Sequence, residues 1–581
     1  MTPFENSLYV ALVAPAVALV IALFFKNPLA FRWSSLLLGL AGVAGVAASA
    51  YGAVQDAPFT LVTPVFYSMT IALDRFGSIF FLGISIVIAS AGMFAVSYGK
   101  KHESDQVLLR SLSIATATLV IGTQWVVLAG NIVGFIAAWE IMMLAIVAFT
   151  FAQAQSSDRR LSLRAFFVAH LSTTAITAGF FTLTAGALFS DFGTLAYLAG
   201  QSEPIPLAVG YGLILFGFAL SIGLVPFHRW FLDVASNIPS HVSAMLRATV
   251  SGVAFYAFIR CILFILPPLS LWFVLPVLVL GVFSMVAGAM FVIRENNLKR
   301  FIAQLSVQNF GLVALMIGGA MAFQALALYD AMNVLLFAAF IQLTVNAVAT
   351  SGLFLVRNLL SADNETLEHL GGRAKHMPKL TLATGILLAG AVGAPPFATM
   401  TSAWMLATTL GTIASSIARP FGIVAIVLLV LFVLSRLLTV VAAFRWFVGV
   451  FLGVSRSSHS EPIQEPTDAA LIPIVFSALV VLVSGFAVPQ LLLAIGANPL
   501  TDAAGTFQGG VVTAAGTLRM GVVGGAVAGI LLVLWYFRAS WVDRIPSFEA
   551  IESFRHRVTR KIVVGDRYRA LWNRALAKLR R

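Results

Sequence analysis

The chain has 581 residues, 60% of them hydrophobic and 10% charged, with a formal net charge of +13 and a mean hydropathy of +0.97. Apolar stretches of membrane-spanning length run from end to end, which excludes a soluble globular domain and defines a polytopic membrane protein. Cys261 is the only cysteine, so neither a disulfide framework nor a thiolate metal site can be built within one chain.

With no water in the bilayer core, backbone polar groups must pair within their own segment or within a closed barrel, and long unalternating apolar runs exclude the barrel. The length criterion predicts an all-α protein of about fifteen spans, beginning with 8–25, 35–53, 79–97, 111–128 and 132–151. The opening MTPFENSLYVALVAPAVALVIALFF lacks a basic n-region and a convincing cleavage site, so it is expected to be a retained first helix. Next come 165–189, 207–225, 242–263, 269–293 and 301–321, then 327–356, 380–403, 422–448, 469–495 and 522–537.

Lys and Arg are retained on the cytoplasmic side of a membrane. KKHESDQVLLR, SSDRRLSLR, RENNLKR and RNLLSADNETLEHLGGRAKHMPK all fall on one side, whereas SDFGTLAYLAGQSEPIP and GANPLTDAAGTFQGG carry no Lys or Arg. The expectation is a multi-pass protein of the cell inner (plasma) membrane with its N-terminus outside and its C-terminus in the cytoplasm. The segment 538–581 holds 12 Lys/Arg against 4 Asp/Glu, a net +8. The basic balance therefore needs no nucleic acid; it describes a cytoplasmic tail suited to lipid headgroups or a partner.

Two apolar runs are interrupted alike, by GLVPF at 223–227 and GAPPF at 393–397. Proline frees a carbonyl one turn earlier and kinks the helix, which a membrane tolerates only where protein or water meets the freed groups. Five spans separate the breaks, and an odd offset reverses chain direction, as an inverted repeat around an ion pathway requires.

AWEIMMLAIVAF (138–149), the stretch 223–260 from GLVPFHRW onward, NNLKRFIAQLSVQNFGLVALMIG (296–318) and LGGRAKHMPKLTLATGILLAGAVGAPPFATMTSAW (370–404) occur in that order. Together they resemble the antiporter-like membrane subunits of respiratory complex I, multisubunit sodium/proton antiporters and energy-converting hydrogenases. PSHVSAM, SVQNFG and LGGRAKHMP look most like the large antiporter-like subunit of formate hydrogenlyase and related membrane-bound hydrogenases. The resemblance covers roughly residues 80–450. It implies two inverted five-helix repeats with discontinuous helices at Pro226 and at Pro395/Pro396. The implied organisation is N-terminal helices 1–110, repeats 111–263 and 264–450, C-terminal helices 451–537 and the basic tail 538–581.

A charge inside a membrane helix costs about 2.5–3.5 kcal/mol on insertion scales and is a functional hypothesis by default. Glu140 matches the family's proton-carrying or coupling carboxylate, with a structural ion pair as the alternative. His170 is either a proton relay or a hydrogen-bonded interhelical histidine. Arg247 occupies the place where complex I relatives often carry histidine; a fixed charge, it can tune Glu140 or hold water but relays protons poorly. His228 follows Pro226 and suits an interface, Asp330 suits water, and pairing or snorkelling explains Arg436 and Arg445 as readily as transport does.

The departures from the family count equally. Ser221, Gly252, Asn333 and Ala403 stand where relatives often place ionisable groups, and Gln308 stands where the hydrogenase-like motif tends to have glutamate. A complete alternating lysine–carboxylate pump is therefore in doubt.

No paired CxxC, haem CxxCH, P-loop or dinucleotide fingerprint is present, so this chain is expected to hold no cofactor or metal and to be a non-catalytic subunit. The leading function is proton movement coupled to electron transfer in membrane and peripheral partners of a redox complex. A membrane subunit driving inorganic-carbon uptake, a stand-alone cation/proton antiporter and a membrane anchor without ion flux are the alternatives.

Overall fold

A computed structural model describes residues 3–53, 59–62, 70–153, 159–187, 190–267, 270–360, 366–367, 370–416, 419–452 and 464–494. The expected span at 522–537, the tail 538–581 and the C-terminal end of the topology lie outside the described residues.

The N-terminal part comprises α1 (Pro3–Phe24), α2 (Pro28–Gly52), α3 (Arg75–Lys101), α4 (Gln106–Leu128), α5 (Ile132–Gln153) and α6 (Arg159–Leu183). After them come the short α7 (Phe192–Gln201), α8 (Pro204–Ile222) and α9 (Arg229–Asn237). A single span, Ser240–Ile265, is divided into α10 (Ser240–Leu246), a π-helical segment (Arg247–Ser251), α11 (Gly252–Ile259) and a second π-helical segment (Arg260–Ile265). The remainder is α12 (Leu271–Val292), α13 (Leu298–Ala325), α14 (Tyr329–Leu360), α15 (Pro378–Val392), α16 (Ala398–Ser416), α17 (Arg419–Phe451) and α18 (Asp468–Ala494). A small antiparallel hairpin, β1 (Phe59–Val62) with β2 (Thr70–Leu73), lies between α2 and α3 and qualifies the all-α expectation without changing the class.

Among the described helices, thirteen are long and apolar enough to cross a membrane. The protein is a multi-pass, all-α membrane protein. The expected twelfth span, 380–403, is instead two helices, α15 and α16, that meet at the GAPPF break. Gly393 caps α15 in the left-handed conformation (φ 71°), and Gly223 caps α8 in the same way (φ 81°). Each break also holds a cis proline peptide, Val225–Pro226 and Pro395–Pro396. Only glycine takes such a φ without strain, so the Gly-x-x-Pro spacing of the first break and the Gly-Ala-Pro-Pro of the second encode matching stops.

Helices α13 and α14 form the buried centre, whereas α1, α12 and α17 present exposed faces of Val, Leu and Phe such as Val17, Phe283 and Val427. Such faces fit lipid or a neighbouring membrane chain. Helix α12 lies close against α13 because Gly281, Gly288 and Gly311 leave room for the opposing backbone, the usual device where no hydrophobic force acts between helices.

Candidate functional site

Glu140 lies in the third turn of α5 and His170 lies near the middle of α6. Their ends meet: His170 Nδ1 is 2.7 Å from Glu140 Oε1, with side-chain exposures of 37% and 28%. The pair therefore sits at a lateral face of the bundle. Ile141 and Leu144 on α5, and Phe166 and Phe167 on α6, are exposed around it, and the Phe166 ring packs edge-on against His170 at 4.1 Å. Glu140 Oε2 is buried and has no hydrogen-bond partner among the described residues, so one carboxylate oxygen takes the imidazole and the other is left to hold a proton or a water.

Two residues further along α6, Ser172 reaches the end of α8, where the first break begins. Ser172 Oγ donates to Gly217 O at 2.9 Å and shares a hydrogen bond with Ser221 Oγ in the last turn of α8. Positions i and i+2 on a helix face different neighbours, so α6 turns His170 toward α5 and Ser172 toward α8. The carbonyls freed where α8 stops are met in turn. Ser251 Oγ donates to Ile222 O (3.2 Å) and Trp230 Nε1 to Leu220 O (2.8 Å), while Val225 N–H donates to Ser284 Oγ (2.8 Å). His228 stands at the N-cap of α9 directly after the break, half-buried, its ring stacked on Phe291 at 5.8 Å.

Arg247 opens the π-helical segment and is completely buried. Its Nη2 donates to Asn346 Oδ1 at 3.0 Å and its guanidinium lies 4.3 Å from the centre of the Phe310 ring, while Nε and Nη1 have no recorded partner. The expected link from Arg247 to Glu140 is not a direct one: among the described residues each has a different partner. Asn346 Nδ2 donates in turn to Ala391 O at 3.0 Å, in the last turn of α15. Thr399 Oγ1 meets the neighbouring Gly390 O at 2.6 Å. The two breaks are thus finished by side chains from elsewhere in the fold, as a helix interrupted in a membrane demands.

Neutral polar residues extend this layer. Gln342 Nε2 donates to Asn309 Oδ1 (2.6 Å), and Gln308 Nε2 to Ser435 Oγ (3.2 Å), which donates to Met285 O (3.1 Å). Gln342 and Asn346, mid-way along α14, carry the polar function of that helix. Asn333, where the family pattern placed an ionisable group, lies in its second turn near the end, with Oδ1 buried and unpartnered. Gly252 and Ala403 are buried and add no polar atom. Asp330 is exposed, as expected, and Arg445 donates to Ile293 O at 2.6 Å and to Asn296. Arg436 neither snorkels nor pairs among the described residues: both Nη atoms are buried against the Gly393 cap.

The described residues thus form a polytopic helical membrane protein with two proline-broken helices and a carboxylate–imidazole pair. Residues 129–439 match the family described as NADH:quinone oxidoreductase/Mrp antiporter, TM, and the chain belongs to that family. An uncharacterised protein of Mycobacterium tuberculosis is 28% identical over 64% of this chain and 57% of its own length. Hydrogenase-4 component B of Escherichia coli is 24% identical over 72% of this chain and 62% of its own. The chain therefore spans about three fifths of the length of these two relatives. The fold matches a chain of an archaeal membrane-bound sulfane sulfur reductase with a TM-score of 0.70 at 18% identity, covering 85% of this chain and 96% of that one.

Proposed function

We propose that the chain is a proton-coupling membrane subunit of a hydrogenase-like or NADH-quinone-oxidoreductase-like complex, with electron transfer carried by membrane and peripheral partner subunits. The observation that carries it is the 2.7 Å contact between His170 Nδ1 and Glu140 Oε1 in the middle of apolar helices. Carboxylate and imidazole can each be charged or neutral, so a proton passes between them without leaving the pair, and the pair's net charge changes only when a proton enters or leaves. That is the property a coupling site needs. Family membership and the likeness to hydrogenase-4 component B support the redox partners. No residue set in this chain calls for an electron-carrying cofactor, so such groups are assigned to the partners.

The matched Gly223 and Gly393 caps support two inverted repeats, 111–263 and 264–450, with a discontinuous helix in each. Lys100 and Lys101 at the end of α3, Arg159 and Arg160 at the start of α6, and Arg294, Lys299 and Arg300 around the turn from α12 to α13 put basic residues at span ends on one side, which supports a cytoplasmic basic end, an outside N-terminus and residence in the cell inner membrane. The tail at 538–581 would rest on anionic headgroups.

A second function, an anchor without ion flux, is favoured by one observation. At the first break the polar contact is a pair of hydroxyls, Ser172 and Ser221, which cannot change charge near neutral pH. Purification of the native complex in mild detergent, with the co-purifying chains identified, comes first. Redox subunits with an iron–sulfur protein support the coupling function, and a single large soluble partner without redox chains supports inorganic-carbon uptake. Glu140→Gln in the reconstituted complex then separates coupling from anchoring: lost proton movement with intact assembly supports the former, unchanged movement the latter.

A further inference from the structure

Near the basic end, a second set of titratable side chains lies apart from the Glu140 pair. His102, the C-cap of α3, is partly exposed; its ring stacks on Tyr98 at 4.1 Å and 19°, and its Nδ1 is 3.0 Å from Tyr98 O. Tyr98 is 8% exposed, and its ring lies 4.7 Å from that of His241 on α10, which is 1% exposed. Both ring nitrogens of His241 are buried without a recorded partner. A neutral imidazole carries one donor and one acceptor, and leaving either unmet in a buried site is costly. A well-packed apolar side chain would avoid that cost, so packing alone does not account for a histidine at this position. Water held by two or more polar groups would meet the deficit. The hydroxyl of Ser240, next in sequence, accepts from Arg357 Nη1 at 2.9 Å.

We propose that His102, Tyr98 and His241 form the opening through which protons pass between the basic end and the buried polar layer. This rests on the proton-handling function above. An imidazole accepts a proton on one nitrogen and releases one from the other, so charge moves inward and the ring is left as its other tautomer, which a ring flip resets. The groups facing His241 favour passage over storage. From α3 they are Tyr98 and His102; Tyr98 in turn lies within reach of Arg357 on α14 and of Asp105 before α4, and Arg357 within reach of Lys299 on α13. On α9 the acidic residue, Asp233, is paired with Arg164 at 3.1 Å. No carboxylate is recorded against His241 among the described residues.

The test uses the intact complex in liposomes, driven by its own electron donor, with proton movement followed by an enclosed pH dye. His102→Ala should slow proton movement roughly tenfold, and added imidazole should restore most of it, because a free base can replace an exposed relay. His241→Phe should slow it equally, without rescue, in a complex that assembles normally on native gels. If His241→Phe fails to assemble, the exposed His102→Ala and its rescue decide. Wild-type rates in both variants while Glu140→Gln stops proton movement would overturn this opening and leave the coupling function standing. Loss of rate in His102→Ala without imidazole rescue would also overturn it. Unchanged movement in Glu140→Gln would instead remove the coupling function itself.

Discussion

Arg247 on the fragmented span 240–265 is held by Asn346 on α14, through a 3.0 Å hydrogen bond from Nη2 to Oδ1, and Asn346 passes the contact on to Ala391 O at the second break. One amide thus joins a buried guanidinium to the end of α15. Replacing it by leucine leaves both the charge and the carbonyl without that partner. Asn346→Leu should cost about 2–3 kcal/mol, the range for hydrogen bonds to charged groups, read as a lower thermal midpoint in detergent. Asn346→Asp, which keeps an acceptor and adds a countercharge, should lose less.

Gly393 is required twice over. Its φ of 71° is left-handed, and an added Cβ would run into Arg436 Nη2. Gly393→Ala should destabilise by at least about 1–2 kcal/mol from the backbone alone, with the collision adding to it. Combining it with Arg436→Ala should recover the collision and not the backbone cost. Gly411→Ala on α16, where a Cβ would meet nothing within 4 Å, should be neutral or stabilising. Equal losses at Gly393 and Gly411 in thermal melts would contradict this account.

At the end opposite the basic loops, Asp191 caps α7 by accepting from Thr194 N–H at 2.6 Å, and the adjoining backbone pairs with the start of α5, Asn131 with Asp191. The Thr194 amide hydrogen bond holds the Asp191 carboxyl below its ordinary value, with a smaller contribution from Gly193 in the same sense. A carboxyl depressed in the folded state stabilises above its unfolded value and ceases to do so as pH falls through its folded one. Amide exchange at 191–195 should therefore quicken on acidification below the usual carboxylate range. Asp191→Asn, which keeps a capping oxygen, should flatten that dependence.

Much of this was legible locally. The two breaks were readable because Gly and Pro act on their own backbone, and thirteen of the expected spans were readable because a bilayer imposes their length. Glu140 and His170 each stood out as charge-bearing residues in apolar helices. Their contact did not, since it depends on how α5 and α6 rotate against each other. Gln342, Asn346 and Asn309 were missed because a neutral amide costs little in a helix sequence and declares itself only when its partner is seen. Asn333 was singled out by counting along a family pattern, which cannot fix helical register. Arg436 was left open between pairing, snorkelling and transport because sequence shows which helix a long side chain leaves, not which gap it enters.

The most direct measurement is donor-driven proton movement by the reconstituted complex carrying wild-type chain, Glu140→Gln or His170→Gln, with assembly and electron-transfer rate followed in parallel. The pair 2.7 Å apart acts as one unit, so each single variant and the double variant should lose proton movement to the same extent, at least about tenfold, with the subunits still assembled. Full proton movement in Glu140→Gln, at an unchanged electron-transfer rate, would contradict it and leave the chain an anchor.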